Sequence, residues 1–326
     1  MRILKKIKSL LQKKHLIAYL TSKPIKKITW YKDSYGDMVK FKRQKFNTRI
    51  AVLGSSPAKW AFDESVADAC ANWATSPQSI FDDFRVLKNY HSYLSPNGLV
   101  LISLFHCRAL MQDYNDAHHF KKFHYFLHPI LNPFYDEKVF LPLKKEIDFP
   151  IYYVIKHPIR ILKSVIKCDV LKKIACNSVT NSMNEVQIEQ DAEKWMSIWK
   201  KEFSEDAFNT PLKASVRESL EFNKRLILEM AEFCKERDLK LAFVIPPITN
   251  ALNSKFSKEF SKEALYDLIA PAQEKYNISL FDYLEDKEFQ NDDLYFNSFF
   301  LNKRGRRLFT EKLISDVKKI KFQTNS

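Results

Sequence analysis

The sequence predicts an α/β protein: a doubly wound parallel sheet interrupted by a helical insertion. Three observations predict it. Apolar runs of strand length stand at Arg49–Gly54, Leu99–Leu104 and Leu239–Ile245, the first closing on a glycine and the last on Pro246-Pro247. Stretches between such runs carry apolar residues at helical spacing, as in Ile80, Phe84, Leu87 and Tyr90. Strand–helix alternation of this kind builds a parallel sheet with helices on both faces. The chain has 326 residues, ample for one such core with an insertion.

The elements follow in order. Residues 3–20 set Ile3, Leu4, Ile7, Leu10, Leu11, Ile17 and Leu20 mostly three and four apart, with Lys5, Lys6, Lys8, Lys13 and Lys14 in the gaps. This is the pattern of a basic amphipathic helix that lies in a membrane interface, or one that packs on the protein's own body. Arg49–Gly54 is a buried strand, Asp63–Ala71 a short helix and Asn72–Ser76 a short strand or loop. Pro77–Leu94 is helical, Pro96-Asn97-Gly98 a turn, and Leu99–Leu104 the next strand. Residues 105–185 then lose the βα rhythm and become rich in His, Phe, Tyr and Pro. Helical spacing returns at 186–203 and 211–236. Leu239–Ile245 is a strand, Lys258–Tyr276 a helix, Ile278–Phe281 a short strand and Asn302–Ile320 the last helix. The organisation is therefore a basic arm (1–48), a first α/β part (49–104), an aromatic and helical insertion (105–185) and a second α/β part (186–326).

Charge is unevenly distributed. The formal net charge is +14; residues 1–50 hold 15 Lys/Arg against 2 Asp/Glu, and the rest hold 38 against 37. Nucleic-acid-binding domains spread positive charge over a folded face. A basic end on a neutral body instead suits attachment to an anionic membrane surface, so no nucleic-acid partner is expected. The five cysteines are odd in number and form no CxxC pair, which fits a reducing compartment better than a disulfide framework. No apolar run approaches the roughly 20 residues that span a bilayer. The expected location is the cytoplasm, peripheral on the inner face of the cell membrane.

Two segments carry chemistry. Val52-Leu53-Gly54-Ser55-Ser56-Pro57 ends a buried strand in a glycine turn and lifts a serine hydroxyl above the sheet's carboxyl edge, where ligands of open α/β sheets bind. Serine capping of the next helix is the simpler reading of the same residues. Late in the chain, Asn297-Ser298-Phe299-Phe300-Leu301-Asn302-Lys303-Arg304-Gly305 opens the last helix. Together these blocks resemble the SGNH (GDSL-like) hydrolase superfamily. Its opening G-D-S or G-S-S matches Gly54-Ser55-Ser56, and its closing D-x-x-H-L-N-x-x-G finds Leu301, Asn302 and Gly305 in place. The resemblance covers roughly 50–110 and 235–320 and implies a flavodoxin-like doubly wound sheet. It also implies Ser56 as nucleophile and Gly54, Ser55 and Asn72 around the oxyanion cleft.

The departures fall on the acid–base residues. The family's aspartate aligns with Asn297 and its histidine with Phe300, and a serine without a general base is a weak nucleophile. No histidine follows His157. His106, after the Leu99–Leu104 strand, is the candidate replacement base; bonding to nearby backbone is its simpler role. His118, His119, His124 and His128 sit close in sequence but match no metal signature, and neither a metal nor another cofactor is expected. Relatives of this form accompany synthesis of bacterial surface polysaccharides. The resemblance thus implies acyl-ester transfer or hydrolysis on a glycan or lipid-linked glycan, another transferase chemistry in the same cleft, or a catalytically inactive glycan-binding or scaffold subunit of a membrane-associated synthesis complex. Sequence leaves the oligomeric state open.

Overall fold

The computed structural model describes residues 44–66, 68–111 and 183–323, with positions 41 and 159. The chain divides into two compact units: Gln44–Tyr114 with Asn177–Ser326, and Met1–Arg43 with Asn115–Cys176. The lysines of the basic arm, the four clustered histidines and most of the insertion lie outside the described residues. Phe105–Met111, expected in the insertion, are all buried and belong to the unit that runs from Gln44 to Tyr114.

The described unit is an α/β fold around five parallel strands in the order β2-β1-β3-β4-β5. They are β1 (Thr48–Leu53), β2 (Cys70–Asn72), β3 (Leu94–Ser103), β4 (Lys240–Ile245) and β5 (Ser279–Asp282). The helices of six residues or more, among those described, are α1 (Ser56–Ala61), α2 (Ile80–Tyr90), α3 (Glu185–Phe203), α4 (Ala214–Lys235), α5 (Asp267–Tyr276) and α6 (Lys303–Gln323). Alternate strand residues point to opposite faces. Ile50, Val52, Leu99, Leu101, Ala242, Val244 and Phe281 gather with Ala58, Ala61 and Phe62 around α1 and with Phe309, Leu313 and Val317 of α6. Toward the other face, α2 packs on β1 and α4 on β4, and α4 also packs on α2 and α5.

Local chemistry fixes the boundaries. Ser79 and Asp82 form a capping box that starts α2, and Asn184 with Gln187 does the same for α3. The structure departs from the sequence expectation in three places. The helix expected over Asp63–Ala71 is only a 3₁₀ turn at Glu64–Val66, because α1 already begins at Ser56, with Pro57 suited to a first helical turn. The neighbouring strand is Cys70–Asn72, and beyond it the backbone still donates to the β1 segment, Trp73 N–H to the Val52 carbonyl at 2.8 Å and Thr75 N–H to the Gly54 carbonyl at 3.2 Å. Pro96-Asn97-Gly98 turns, but within β3 as a bulge: Thr48 pairs with Leu94 and Ile50 with Leu99. The helix expected at 258–276 is interrupted by a π segment at Lys262–Tyr266, just before Pro271, which lacks the N–H that would bond the fourth carbonyl back.

Register aligns the carboxyl ends of the strands. Leu53 pairs with Ile102, Ser103 with Val244 and Ile245 with Asp282. The segments leaving β1, β2, β3 and β4 therefore emerge at one edge, which is where Gly54–Ser56, Trp73–Ser76 and Phe105–Arg108 meet.

Candidate functional site

The turn after β1 requires glycine. Gly54 has φ +148°, and a Cβ there would lie 2.8 Å from Ala58 Cβ and 2.9 Å from Ser103 Cβ. The turn delivers Ser55 to a buried position and Ser56 to a half-buried one at the start of α1. Ser55 Oγ does not cap the helix; it accepts from the Gln78 N–H at 3.2 Å. Ser56 Oγ is hydrogen-bonded to Ser76 Oγ, which is also half-buried.

His106 is placed differently from a base for Ser56. Its ring is 1% exposed and stacks on Phe256, with centroids 3.9 Å apart and planes 6° from parallel. Its Nε2 has no hydrogen-bond partner, while Ser56 is bonded to Ser76. Burial pushes its pKa down to about 3, far from the near-neutral value that suits a general base. Cys107, its neighbour, is also fully buried, and burial raises its thiol well above the usual range. Buried and un-ionised, that thiol is inert.

Asn72 is committed to the fold. Its Nδ2 reaches the carbonyls of Ala58 at 3.2 Å, Lys59 at 3.3 Å and Phe62 at 3.1 Å, at the end of α1. Its Oδ1 accepts from the Ala74 N–H at 3.0 Å. These contacts satisfy carbonyls that a helix end leaves unpaired, and they aim the amide at the backbone rather than at a cleft.

The late loop comes to the same side of the molecule. Asn297 Oδ1 accepts from the N–H groups of Phe299 at 3.0 Å and Phe300 at 2.7 Å, so its amide shapes the loop. The Phe300 ring lies 6.4 Å from Trp60 and 5.7 Å from Trp195, centroid to centroid. Trp60 stands four residues after Ser56 and shares its helix face. Phe300 is thus brought to the face of α1 that begins with Ser56. Leu301 is buried, and Asn302 caps α6 by accepting from the Gly305 N–H at 3.0 Å. A Cβ on Gly305 would sit 2.1 Å from the Leu294 carbonyl oxygen. Asn297, Leu301, Asn302 and Gly305 together hold the shape of this loop.

Sequence reading missed several residues here. Trp60, Trp195 and Phe300 are each half-buried and form a partly exposed aromatic ledge beside the serine pair. Beneath the loop, Ser298 donates its Oγ–H to Asp191 at 2.7 Å, and its carbonyl accepts from Thr249 Oγ1 at 2.9 Å. A second network lies behind the Ser55 turn: Gln78 Nε2 donates to Asp83 at 2.6 Å, and Arg108 donates to Asp83 and to the Gln78 carbonyl. Both charged side chains are fully buried. Burial pushes the Asp83 carboxyl up to about 7, against the pull of Arg108 and Gln78. None of these pairings has a sequence motif; the Ser298–Asp191 partners are 107 positions apart.

Among the described residues, no His, Cys, Asp and Glu group is arranged to hold a metal ion, and no helix is long and apolar enough to cross a membrane. A groove of about 770 Å³ opens at the opposite, amino edge of β3–β5, lined by Lys235, Lys240, Tyr276 and Ser279 among others; Ser56, Ser76, Trp60, Trp195 and Phe300 do not line it. The chain matches no protein-family model and no curated protein.

Proposed function

We propose that this chain is a degenerate SGNH-like domain that binds a glycan or lipid-linked glycan without cleaving an ester, as a subunit of a membrane-associated complex making bacterial surface polysaccharide. The observation that carries the reading is Phe300: where the resemblance expects a catalytic histidine, an apolar ring packs against Trp60, one helical turn from Ser56. The Ser56–Ser76 pair can donate and accept hydrogen bonds, but neither hydroxyl is a base at neutral pH. A half-exposed aromatic ledge beside two hydroxyls suits a sugar ring, whose apolar face meets the aromatic surface and whose hydroxyls meet the serines. The basic arm would supply the membrane attachment.

The test is binding to an array of oligosaccharides from bacterial capsules and lipopolysaccharides. Wild-type protein is expected to bind a subset, and Trp60→Ala and Phe300→Ala are each expected to weaken that binding about tenfold, roughly the 1.4 kcal/mol of one lost aromatic contact. Thermal melting of each variant checks that the fold survives. Absence of glycan binding by the wild type, or ledge variants that bind as well as it does, would overturn the proposal.

A further inference from the structure

The turn that opens β1 presents an aromatic ring to solvent. Thr48 Oγ1 donates to the Lys45 carbonyl at 2.9 Å, and Asn47 takes φ 62° between them, a conformation that asparagine tolerates. Phe46 stands at the tip of this turn and is 70% exposed, the highest value for a large hydrophobic side chain among the described residues. The ring is held in place. One face lies flat on Tyr93, with centroids 4.5 Å apart and planes 7° from parallel. Tyr93 in turn meets Tyr90 at 5.6 Å, and Tyr90 is buried beside Trp73. The stack therefore ties one face of Phe46 to the core and leaves the other open to water. The turn lies at the amino edge of the sheet, since it leads into β1 and Tyr93 stands immediately before β3.

A single exposed apolar side chain needs no explanation by itself. This one has a cationic setting. Residues 40–49 hold five Lys/Arg and no Asp/Glu. Of these, Lys45 on the same turn and Arg49 on β1 are exposed, and neither pairs with a carboxylate among the described residues. Elsewhere on this edge the signs are mixed. Lys235, Lys240 and Lys275 stand with Asp238 and Glu274 around the groove, and Lys318 stands with Glu64 and Asp68 near Cys70. The unbalanced charge is confined to the turn and the chain that precedes it, where residues 1–50 hold 15 Lys/Arg against 2 Asp/Glu.

We infer that the Lys45–Thr48 turn is a membrane-docking point of the folded unit, with Phe46 entering the interface of an anionic phospholipid bilayer and Lys45 and Arg49 meeting its headgroups. An apolar ring among cations binds such an interface by burial and by charge together. The inference rests on the membrane attachment proposed above and adds to the arm a contact made by the folded unit. It also orients that unit. The amino edge faces the bilayer, and the serine pair and aromatic ledge, at the carboxyl edge, face away from it. β1 has six residues, so about 20 Å of strand separates the turn from the cleft.

The experiment measures co-sedimentation of the full chain with vesicles of equal parts phosphatidylglycerol and phosphatidylcholine, and with vesicles of phosphatidylcholine alone. Phe46→Ser is expected to weaken binding to the anionic vesicles about tenfold, and Phe46→Trp to bind them as tightly as wild type. As salt rises from about 50 to 500 mM, both wild type and Phe46→Ser should bind less while the ratio between them holds, because salt screens charge and not the burial of the ring. Thermal melting checks that each variant folds. Hydrogen exchange on the wild type reads the same surface without a substitution: residues 44–49 should slow on the anionic vesicles, and 54–62 and 297–302 should not change. Phe46→Ser binding as tightly as wild type, no slowing at 44–49 on bound protein, or equal binding to the two kinds of vesicle would overturn this inference and leave the glycan-binding reading standing. Absence of binding to anionic vesicles would overturn the membrane attachment and this inference together. Slowed exchange at 44–49 that appears with rising protein concentration and no vesicles would assign the ring to a second copy of the chain and overturn the inference.

Discussion

Replacing Arg108 with Met is expected to destabilise the fold by about 3–5 kcal/mol, the cost of leaving one member of a buried ion pair without its partner. Arg108 and Asp83 are both fully buried, and Gln78 ties the pair to Thr75 and to the Ser55 turn. Removing the guanidinium forces Asp83 either to hold its charge without a cation or to take up a proton, and it frees the Gln78 carbonyl. The double variant Arg108→Met with Asp83→Leu should recover much of the loss, because no uncompensated charge then remains. Urea denaturation of the two single variants and the double variant measures the coupling. A loss below about 1 kcal/mol in the single variants would show that the pair is solvated and that the turn is held by other means.

His106 is expected to give the second large effect, visible as a slope against pH. Its folded pKa is depressed to about 3, below the ordinary 6.5 of an unfolded histidine. Above pH 6.5 it is neutral in both states and contributes nothing to the difference. Below 6.5 the unfolded chain takes up a proton that the native chain refuses until about pH 3. Native stability attributable to this group therefore falls on acidification by about 1.4 kcal/mol per pH unit across that window, or roughly 2 kcal/mol by pH 5. Asp83 works in the opposite direction over part of the range, since its raised pKa favours proton uptake by the native state. The informative quantity is thus the difference between wild type and His106→Phe, a variant that keeps a ring against Phe256. Wild type should lose about 2 kcal/mol relative to His106→Phe between pH 7 and pH 5, and the two profiles should run parallel above pH 7. Parallel profiles throughout would mean that His106 is solvent-accessible and available as a base.

Much of the frame was legible in the sequence because it depends on short-range patterns. The apolar runs at Arg49–Gly54, Leu99–Leu104 and Leu239–Ile245 became β1, the end of β3 and β4, and Gly54 stands at a turn no other residue fits. The loop before α6 was legible for the same reason: Asn302 and Gly305 are read from a local cap and a close backbone approach. What stayed hidden depends on partners far along the chain. Whether His106 is a base or a core ring is decided by Phe256. Asn72 looks like a cleft residue until the end of α1 is seen to need its amide. Asp191 and Arg108 are polar residues whose burial no local pattern announces, since each is offset by a distant hydrogen bond. The aromatic ledge joins Trp60, Trp195 and Phe300 from three separate segments.

Ser56 sits at the carboxyl edge, bonded to Ser76, with no base beside it among the described residues. Labelling with a fluorophosphonate probe tests this most directly, because the probe reports an activated serine hydroxyl whatever the natural ligand is. The structure predicts that the full chain labels no more than its Ser56→Ala variant, with the rate gain of roughly 10²–10⁴ that a positioned base supplies absent from both. Strong labelling of the unmodified chain, abolished by Ser56→Ala, would contradict the account and make this cleft a working acyl-transfer site.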